Sequence, residues 1–444
     1  MIELEETTGS TVRRFGERPG RQQTRLSSAS VLAAARDIFL PAGYPRSVSA
    51  DYVAYQTWDS IQAFVSGISF LIANRAVLAA LGVGDAAASS TGALLLKIVQ
   101  EAVGRMATVA FAWRWGSVLE QDCKTYRFAA DVVLTGAIAC DCISPSVAGG
   151  STLAVVFCLS AVLKAVCTVM AQGSRAALSL HFTDPEHGSI SDVAAKDASQ
   201  ETVVSLAGLL AGSAVVPHLT TARTTWTTLA ALSVVHLAAN YRAVRAVTLR
   251  TLNRQRAALV FSHATDPAGP APPLLVAPAD AAAREVVLER DGRLRWRGRP
   301  IGHAALGSFA AVEALRAPDV GLAELVDICG SAGFLLWYAG RPGAVDVRIA
   351  LTEPTVAHAE LRAWAAALFV ARLEAIGDAG GDAASDAEKG RGGARKTRTV
   401  RAALAAVDAL FADGVVARLA AAGWVVDRPM IAPTAAPRVR VIGR

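Results

Sequence analysis

The chain is poor in charge. Only 18% of its 444 residues are Asp, Glu, Lys or Arg, where an ordinary soluble globular protein has about 25%. Aromatic residues are scarce too, at 6%. A disordered chain is charged and weakly hydrophobic and a collagen-like one is rich in periodic glycine, so both classes are excluded. An ordinary water-soluble enzyme fits poorly. Cysteine is sparse: Cys123, Cys140, Cys142, Cys158, Cys167 and Cys329 are too few to staple a chain of this length. Five of them sit in its most apolar part and read as small buried hydrophobes. Cys-x-x-Cys pairs, Walker sequences and Gly-x-Ser-x-Gly elbows are missing, and Gly82-Val83-Gly84 has no strand pattern before it. Lacking a metal motif, a cofactor fingerprint or a nucleophile–base arrangement, the sequence predicts no enzyme, no cofactor and no metal centre.

What is present is hydrophobicity, at 53% of residues, with a mean hydropathy of +0.37 and a net charge of +6. The charge is segregated. Of the 82 charged residues, 22 fall between Tyr52 and Tyr241, about 12% of that stretch, against about 24% elsewhere. Six apolar segments stand out there, near 56–80, 92–112, 127–144, 147–171, 199–219 and 224–241. A bilayer core of about 30 Å needs about 20 apolar residues, so the pattern predicts six spanning helices. Lys and Arg collect in the segments that would lie on one side with both termini, in keeping with the positive-inside rule. Residues 1–30 are polar and lack a hydrophobic signal core; a disordered tail is expected, with Glu3, Glu5 and Glu6 arguing against an organellar transit peptide.

Polar residues interrupt the apolar helices: Gln56, Asp59, Gln62, Lys97, Gln100, Glu101, Arg105, Asp131, Lys164 and Asn240. Ionisable groups at membrane depth are costly and point either to interhelical pairing or to a substrate or ion path. Lys97, Glu101 and Arg105 are spaced four apart, so Glu101 can pair with either neighbour. A shift of 100 residues superposes Gln100-Glu101 on Gln200-Glu201 and Arg75-Ala76 on Arg175-Ala176. Three spans per half would make the second half inverted, as in many transporters. The candidate polar pathway is therefore Lys97, Gln100, Glu101, Arg105, Lys196, Asp197, Gln200 and Glu201. His181, Asp184, Glu186 and His187 form a cluster that reads as a solvated loop in preference to a metal site.

Beyond Tyr241 the chain turns basic, crosses a Pro/Ala linker near 265–280 and becomes a soluble α+β pattern over 281–377 and 399–430. Asp291-Gly292 predicts a hairpin between Val286–Arg290 and Arg293–Arg297, and Arg341-Pro342-Gly343 predicts a second between Gly333–Tyr338 and Val345–Leu351. Helices are expected near 303–317, 355–376 and 399–422. The Gly/Asp/Ala- and then Gly/Arg/Lys-rich stretch 378–398 reads as a disordered insertion. Its basic end is a solvated linker, so no nucleic-acid partner is expected.

Several stretches in order carry a family resemblance: Phe39–Pro45 (FLPAGYP), Tyr55–Asp59 (YQTWD), Leu81–Asp85 (LGVGD), Arg127–Asp131 (RFAAD), Ser191–Thr202 (SDVAAKDASQET) and Asn240–Arg256. The chain resembles the root UVB-sensitive family over about residues 31–260, and more loosely over the C-terminal module, including Ala-Gly-Trp-Val-Val-Asp near 422–427. Lys196, Asp197, Ser199, Gln200, Glu201 and Thr202 match one family element; Tyr126-Arg127 stands where members often have Trp-Arg. The resemblance implies a membrane protein with plant relatives linked to UV-B response, vitamin B6 homeostasis and auxin transport, some of them in plastids. It supplies no catalytic residues.

Together these readings predict a mainly α, multi-pass membrane domain over 31–260 with about six spans, whose number allows a 3+3 inverted repeat, followed by a small α+β domain. The expected work is that of a transporter-like or small-molecule-binding membrane protein. The alternative is a non-transporting scaffold that recruits a protein through its C-terminal domain. Expected partners are the lipid bilayer and either another family member or a small metabolite; the membrane is that of a plastid or another organelle.

Overall fold

The computed structural model describes residues 4–8, 11–15, 36–83, 89–147, 149–266, 275–307, 321–329, 331–341, 343–377, 389–433, 436–440 and 442. The chain divides into two compact units, Met1–Val247 and Thr248–Arg444.

Six long helices build the first unit: α1 (Tyr52–Ala80), α2 (Ser90–Trp115), α3 (Cys123–Ile143), α4 (Ser151–Phe182), α5 (Ile190–Val215) and α6 (Ala222–Ala246). Side chains that satisfy the first free N–H groups start three of them. Ser89 and Ser189 accept from Gly92 and Asp192, and Thr221 forms a capping box with Thr224. α1 is central and packs on α5, α6 and α3, while α3 packs on α4 and α2 lies against α4.

Among the described residues four helices are long and apolar enough to cross a membrane: Tyr52–Ala80, Cys123–Ser146, Ser151–Phe182 and Ile190–His218. Six were expected from the sequence. α2 falls short because Lys97, Glu101 and Arg105 crowd one stretch, and α6 because it opens on Arg223 and four threonines. The segment expected at 147–171 runs on to Phe182 and that at 199–219 starts at Ile190, so the expected loop over 172–198 shrinks to 183–189. Arg175 does not end its helix, because Asp197 and Glu201 of α5 receive its charge.

The α1–α5 contact is made of backbone. A Cβ on Gly208 would lie 2.2 Å from the Phe64 carbonyl oxygen, and one on Gly67 2.7 Å from that of Ser205. Gly208 and Gly212 are spaced as in the small-residue motif that lets helices approach this closely. Within the expected N-terminal tail, β1 (Leu4–Thr8) and β2 (Thr11–Phe15) form an antiparallel hairpin; residues 1–3, 9–10 and 16–35 lie outside the described residues.

The second unit begins with β3 (Thr251–Asn253), α7 (Arg254–Ala264) and α8 (Pro278–Arg284). Its sheet runs β4 (Arg293–Trp296), β5 (Arg299–Leu306), β7 (Ala344–Glu353), β6 (Phe334–Arg341), with β9 (Arg438–Arg440) also pairing β7. α9 (Leu322–Cys329) packs on β6, and α10 (Ala359–Gly377) lies across the sheet with Ala363–Ala371 fully buried. A helix apolar on every side is a core helix. α11 (Lys389–Ala412) and α12 (Val415–Ala421) follow, and β8 (Val425–Met430) returns to pair with β3.

The hairpin at Arg341–Gly343 forms between β6 and β7. That at Asp291-Gly292 does not. β4 pairs instead with β5 across Arg297-Gly298, both at positive φ (46° and 87°), the conformation a two-residue hairpin turn requires. Gly292 is used differently: its carbonyl accepts from Ala304 N at 2.7 Å, against β5. Residues 303–306, expected as the start of a helix, therefore continue a strand that pairs in parallel with β7; 308–320 lie outside the described residues. In the expected disordered insertion, 378–388 are likewise outside, but helix begins at Lys389. Arg395 and Thr399 tie it to Glu374 of α10, each at 2.9 Å.

Candidate functional site: a buried ion network among the helices

At the heart of the helical unit, Arg127 of α3 is buried between two carboxylates. Its Nη2 donates to Asp59 Oδ1 on α1 at 2.7 Å, and Nη1 to both oxygens of Asp131, one turn along α3, at 3.2 and 3.3 Å. Nη2 also reaches Gln62 Oε1 at 3.2 Å and Nε reaches the Tyr55 hydroxyl at 3.3 Å. Tyr55, Asp59 and Gln62 are spaced i, i+4 and i+7, so one face of α1 supplies three of the four partners. A buried charge costs several kcal/mol unless it is paired and hydrogen-bonded, and this geometry meets that demand.

α6 closes the network. Asn240 Nδ2 donates to Asp131 Oδ2 and, at 3.2 Å, to Gln62 Oε1. His236, one turn earlier, stands with Nε2 3.6 Å from Asp131 Oδ2, beyond hydrogen-bond reach. Among the described residues, neither ring nitrogen of His236 nor Oδ1 of Asn240 has a partner. Three unmet polar atoms in an apolar interior are costly, and such groups call for a water, a ligand or a role.

A second set of charges leads outward. Arg175 of α4 pairs with Asp197 at 3.1 Å and Glu201 at 2.6 Å. Asp197 accepts from Gln56 Nε2 at 3.0 Å. Gln200 Nε2 donates to the Phe39 carbonyl at 2.5 Å and to the Tyr52 hydroxyl at 3.4 Å, while Lys196 donates to the Asp37 carbonyl. Tyr52, Tyr55, Gln56, Arg175 and Asp197 share one narrow cleft, whose free space of ≈10 Å³ is about that of one water molecule. Tyr55 therefore joins the cleft to Arg127. Side-chain exposure falls along this column from 41% at Glu201 to 5% at Arg127.

The eight residues singled out from the sequence separate into two sets. Lys196, Asp197, Gln200 and Glu201 lie on α5, and the last three meet Tyr52, Gln56 and Arg175. Lys97, Gln100, Glu101 and Arg105 interact along α2: Lys97 donates to Gln100 Oε1 at 3.2 Å, and Glu101 pairs with Arg105 at 3.0 Å with both side chains exposed. Glu101 and Glu201, aligned by the 100-residue shift, thus have different surroundings. Lys164 is taken up by Asp141 at 2.5 Å. In the 183–189 loop, His187 and two backbone N–H groups hydrogen-bond to Asp184 and hold its carboxyl below its ordinary range, whereas His181 turns to Asp51 at 2.9 Å.

Sequence reasoning missed Arg127, Arg175, Tyr55 and His236 as site residues. Arg127 was visible only inside a motif, although its spacing of four from Asp131 was a readable signal.

Fold and site define a class: an apolar helical bundle built around a buried ion network and followed by an α+β unit. Residues 25–266 match the family described as the vitamin B6 photo-protection and homoeostasis domain. The chain belongs to that family, whose curated members carry root UVB sensitive names. It is 37% identical over 230 residues to RUS family member 1 of Dictyostelium discoideum, covering 51% of this chain and 43% of that one. Against the protein root UVB sensitive 3 of Arabidopsis thaliana it is 32% identical over 227 residues, 51% and 50% of the two chains. The chain thus spans about half the length of the curated relatives it matches. No solved structure matches it. Five of the six stretches that carried the resemblance contribute a group to the column: Phe39, Tyr55 with Gln56 and Asp59, Arg127 with Asp131, Asp197 to Glu201, and Asn240.

Proposed function

We propose that the helical unit is embedded in a membrane and binds a small polar metabolite along the column from Glu201 and Arg175, past Asp197 and Tyr55, to Arg127, for transport or sensing. The observation that carries this reading is Arg127, buried between Asp59 and Asp131, with both ring nitrogens of His236 and the Oδ1 of Asn240 left without a hydrogen bond beside it among the described residues. An ionisable cluster inside apolar helices is a functional site by default. The membrane part of the proposal is supported by the four apolar helices, by the glycine-lined α1–α5 contact and by exposed apolar side chains on α2 such as Met106, Val109 and Trp113. Binding and passage, without bond chemistry, is the proposed work. Because the matched family's description names vitamin B6, the B6 vitamers are the first ligands to test.

The test is ligand-dependent thermal stabilisation of the purified full chain across a metabolite panel that includes those vitamers. A hit that disappears in Arg175→Gln and Asp197→Asn supports the column. No hit in the panel, or a hit that both variants keep, refutes it; release of the protein from membranes by alkaline carbonate refutes the embedding. A second reading, a membrane scaffold whose C-terminal unit recruits a protein partner, is favoured by the narrowness of the cleft, which holds no metabolite as it stands.

A further inference from the structure

The C-terminal unit holds a larger cavity, of ≈340 Å³, among α7, α8 and the β4–β5 hairpin. Arg284, Arg293, Arg295 and Arg297 line it, with His263 and Gln255. Among the described residues, Glu289 is the one carboxylate in ion-pair distance of these arginines, at 3.3 Å from Arg293 and 2.5 Å from Arg295. Four guanidinium groups thus face a single negative charge. Three of them are held in place by neutral groups. Arg295 Nη1 donates to the Gly298 carbonyl at 2.8 Å, Arg297 Nε to the Ser262 carbonyl at 3.2 Å, and Arg284 Nη1 lies 3.1 Å from His263 Nε2. His263 Nδ1 is in turn 2.8 Å from the Leu259 carbonyl, which fixes it as the donor there and leaves Nε2 to accept from Arg284. A guanidinium has five N–H groups, so these anchors orient the forks and leave further donors for an anion.

The β4–β5 turn sets Arg297 at φ 46°, a left-handed backbone that glycine adopts without strain and arginine does not. The remaining wall is apolar, from Ala258, Leu259 and Val286, and an arginine-lined cavity with an apolar wall points to a ligand. A cavity of this volume is at the small end of the range for small-molecule sites, about 300–1,000 Å³. It fits one charged group and a single-ring body.

We propose that this cavity binds a phosphate monoester of a small organic molecule, its dianion seated among the four arginines and its organic part against Leu259 and Val286. The site lies in a different unit from the helical column and stands or falls independently of it.

The purified full chain is titrated with phenyl phosphate, with inorganic phosphate and, separately, with neutral-lipid vesicles that carry phosphatidic acid, whose headgroup is the same chemistry on a lipid. Phenyl phosphate is expected to bind saturably with a Kd below about 1 mM and more tightly than inorganic phosphate. Arg284→Gln and Arg297→Gly are each expected to weaken it at least about tenfold. Arg297→Gly relieves the backbone strain, so it should melt no lower than the parent; lost binding then reports the guanidinium and not the fold. Absence of saturable binding, or binding unchanged in both variants, overturns the proposal. So does equal affinity for inorganic phosphate, which would leave the apolar wall without a part, or binding of phosphatidic acid alone.

Discussion

Replacing Arg127 by methionine tests whether the ion network holds the helical unit together. The substitution keeps an unbranched stem, ends it short of the guanidinium and removes five hydrogen bonds to Tyr55, Asp59, Gln62 and Asp131. Asp59 and Asp131, 5% and 3% exposed, are left facing each other without their cation. Removing one partner of a buried pair costs about 3–5 kcal/mol, mostly because the remaining charge is stranded. Two stranded carboxylates place this variant at the upper end. Neutralising them as well, in Asp59→Asn/Arg127→Met/Asp131→Asn, should recover most of the loss, since buried ion groups replaced together are often nearly neutral. Arg127→Lys should fall between, because an ammonium is a point charge that cannot fork to both carboxylates. The assay is unfolding of the detergent-purified chain by a denaturing detergent, followed by tryptophan fluorescence. An Arg127→Met variant within about 1 kcal/mol of the parent, or a triple variant no better than the single one, would refute the reasoning. A triple variant that folds but loses ligand stabilisation would separate the network's binding role from its structural one.

Two further outcomes follow from the geometry. Gly208→Ala places a Cβ 2.2 Å from the Phe64 carbonyl, which must part α1 from α5 and should cost about 1–3 kcal/mol or more. Gly92→Ala, with its nearest neighbour at 3.4 Å, should be neutral or stabilising in the same assay, and equal effects of the two would contradict the close packing. In the C-terminal unit, burial pushes the Cys329 thiol up from an ordinary 9.0 to about 11 and raises Tyr338, which donates to Glu374 at 2.6 Å. The folded state therefore favours both protonated forms. For Cys329 that contribution is whole below pH 9.0 and disappears as pH rises to about 11, because the unfolded chain ionises first. Cys329→Ala should flatten the alkaline loss of stability over that interval, and an unchanged slope would count against the burial argument.

Much of the bundle was legible because apolar runs of about 20 residues have few alternatives. Its helix ends were not. Arg175 reads as the start of a loop when each charge is taken by itself, and it becomes helical only once Asp197 and Glu201 are known to face it. Asp59 and Asp131 were both visible as interruptions, but Arg127 joins them across two helices and 68 residues, a separation that no local spacing encodes. The same four-residue logic that fits Arg127 and Asp131 also fits Glu101 and Arg105, which lie exposed on α2. Spacing shows that two groups can meet; burial decides whether the meeting matters. Gly208 and Gly212 were a readable sign of tight helix packing that went unused. Asp-Gly is a strong hairpin signal, and it misled here because Arg297-Gly298 takes the left-handed turn instead.

The return of β8 to β3 sets an order of assembly for the second unit. Arg250 Nε donates to the Gly423 carbonyl at 3.0 Å, Val425 N to the Arg250 carbonyl at 2.8 Å, Trp424 Nε1 to the Val276 carbonyl at 2.9 Å and Arg254 Nε to the Ile431 carbonyl at 2.9 Å. These bonds close a loop of 173 residues. In a disordered chain such a closure costs about 4–5 kcal/mol of entropy before any contact repays it. Once strands β4 to β7 and α10 have formed inside it, the same two ends already lie near one another and the cost is small. The clasp is therefore cheapest to form last, and it works as a lock on a finished unit, not as the seed from which that unit grows.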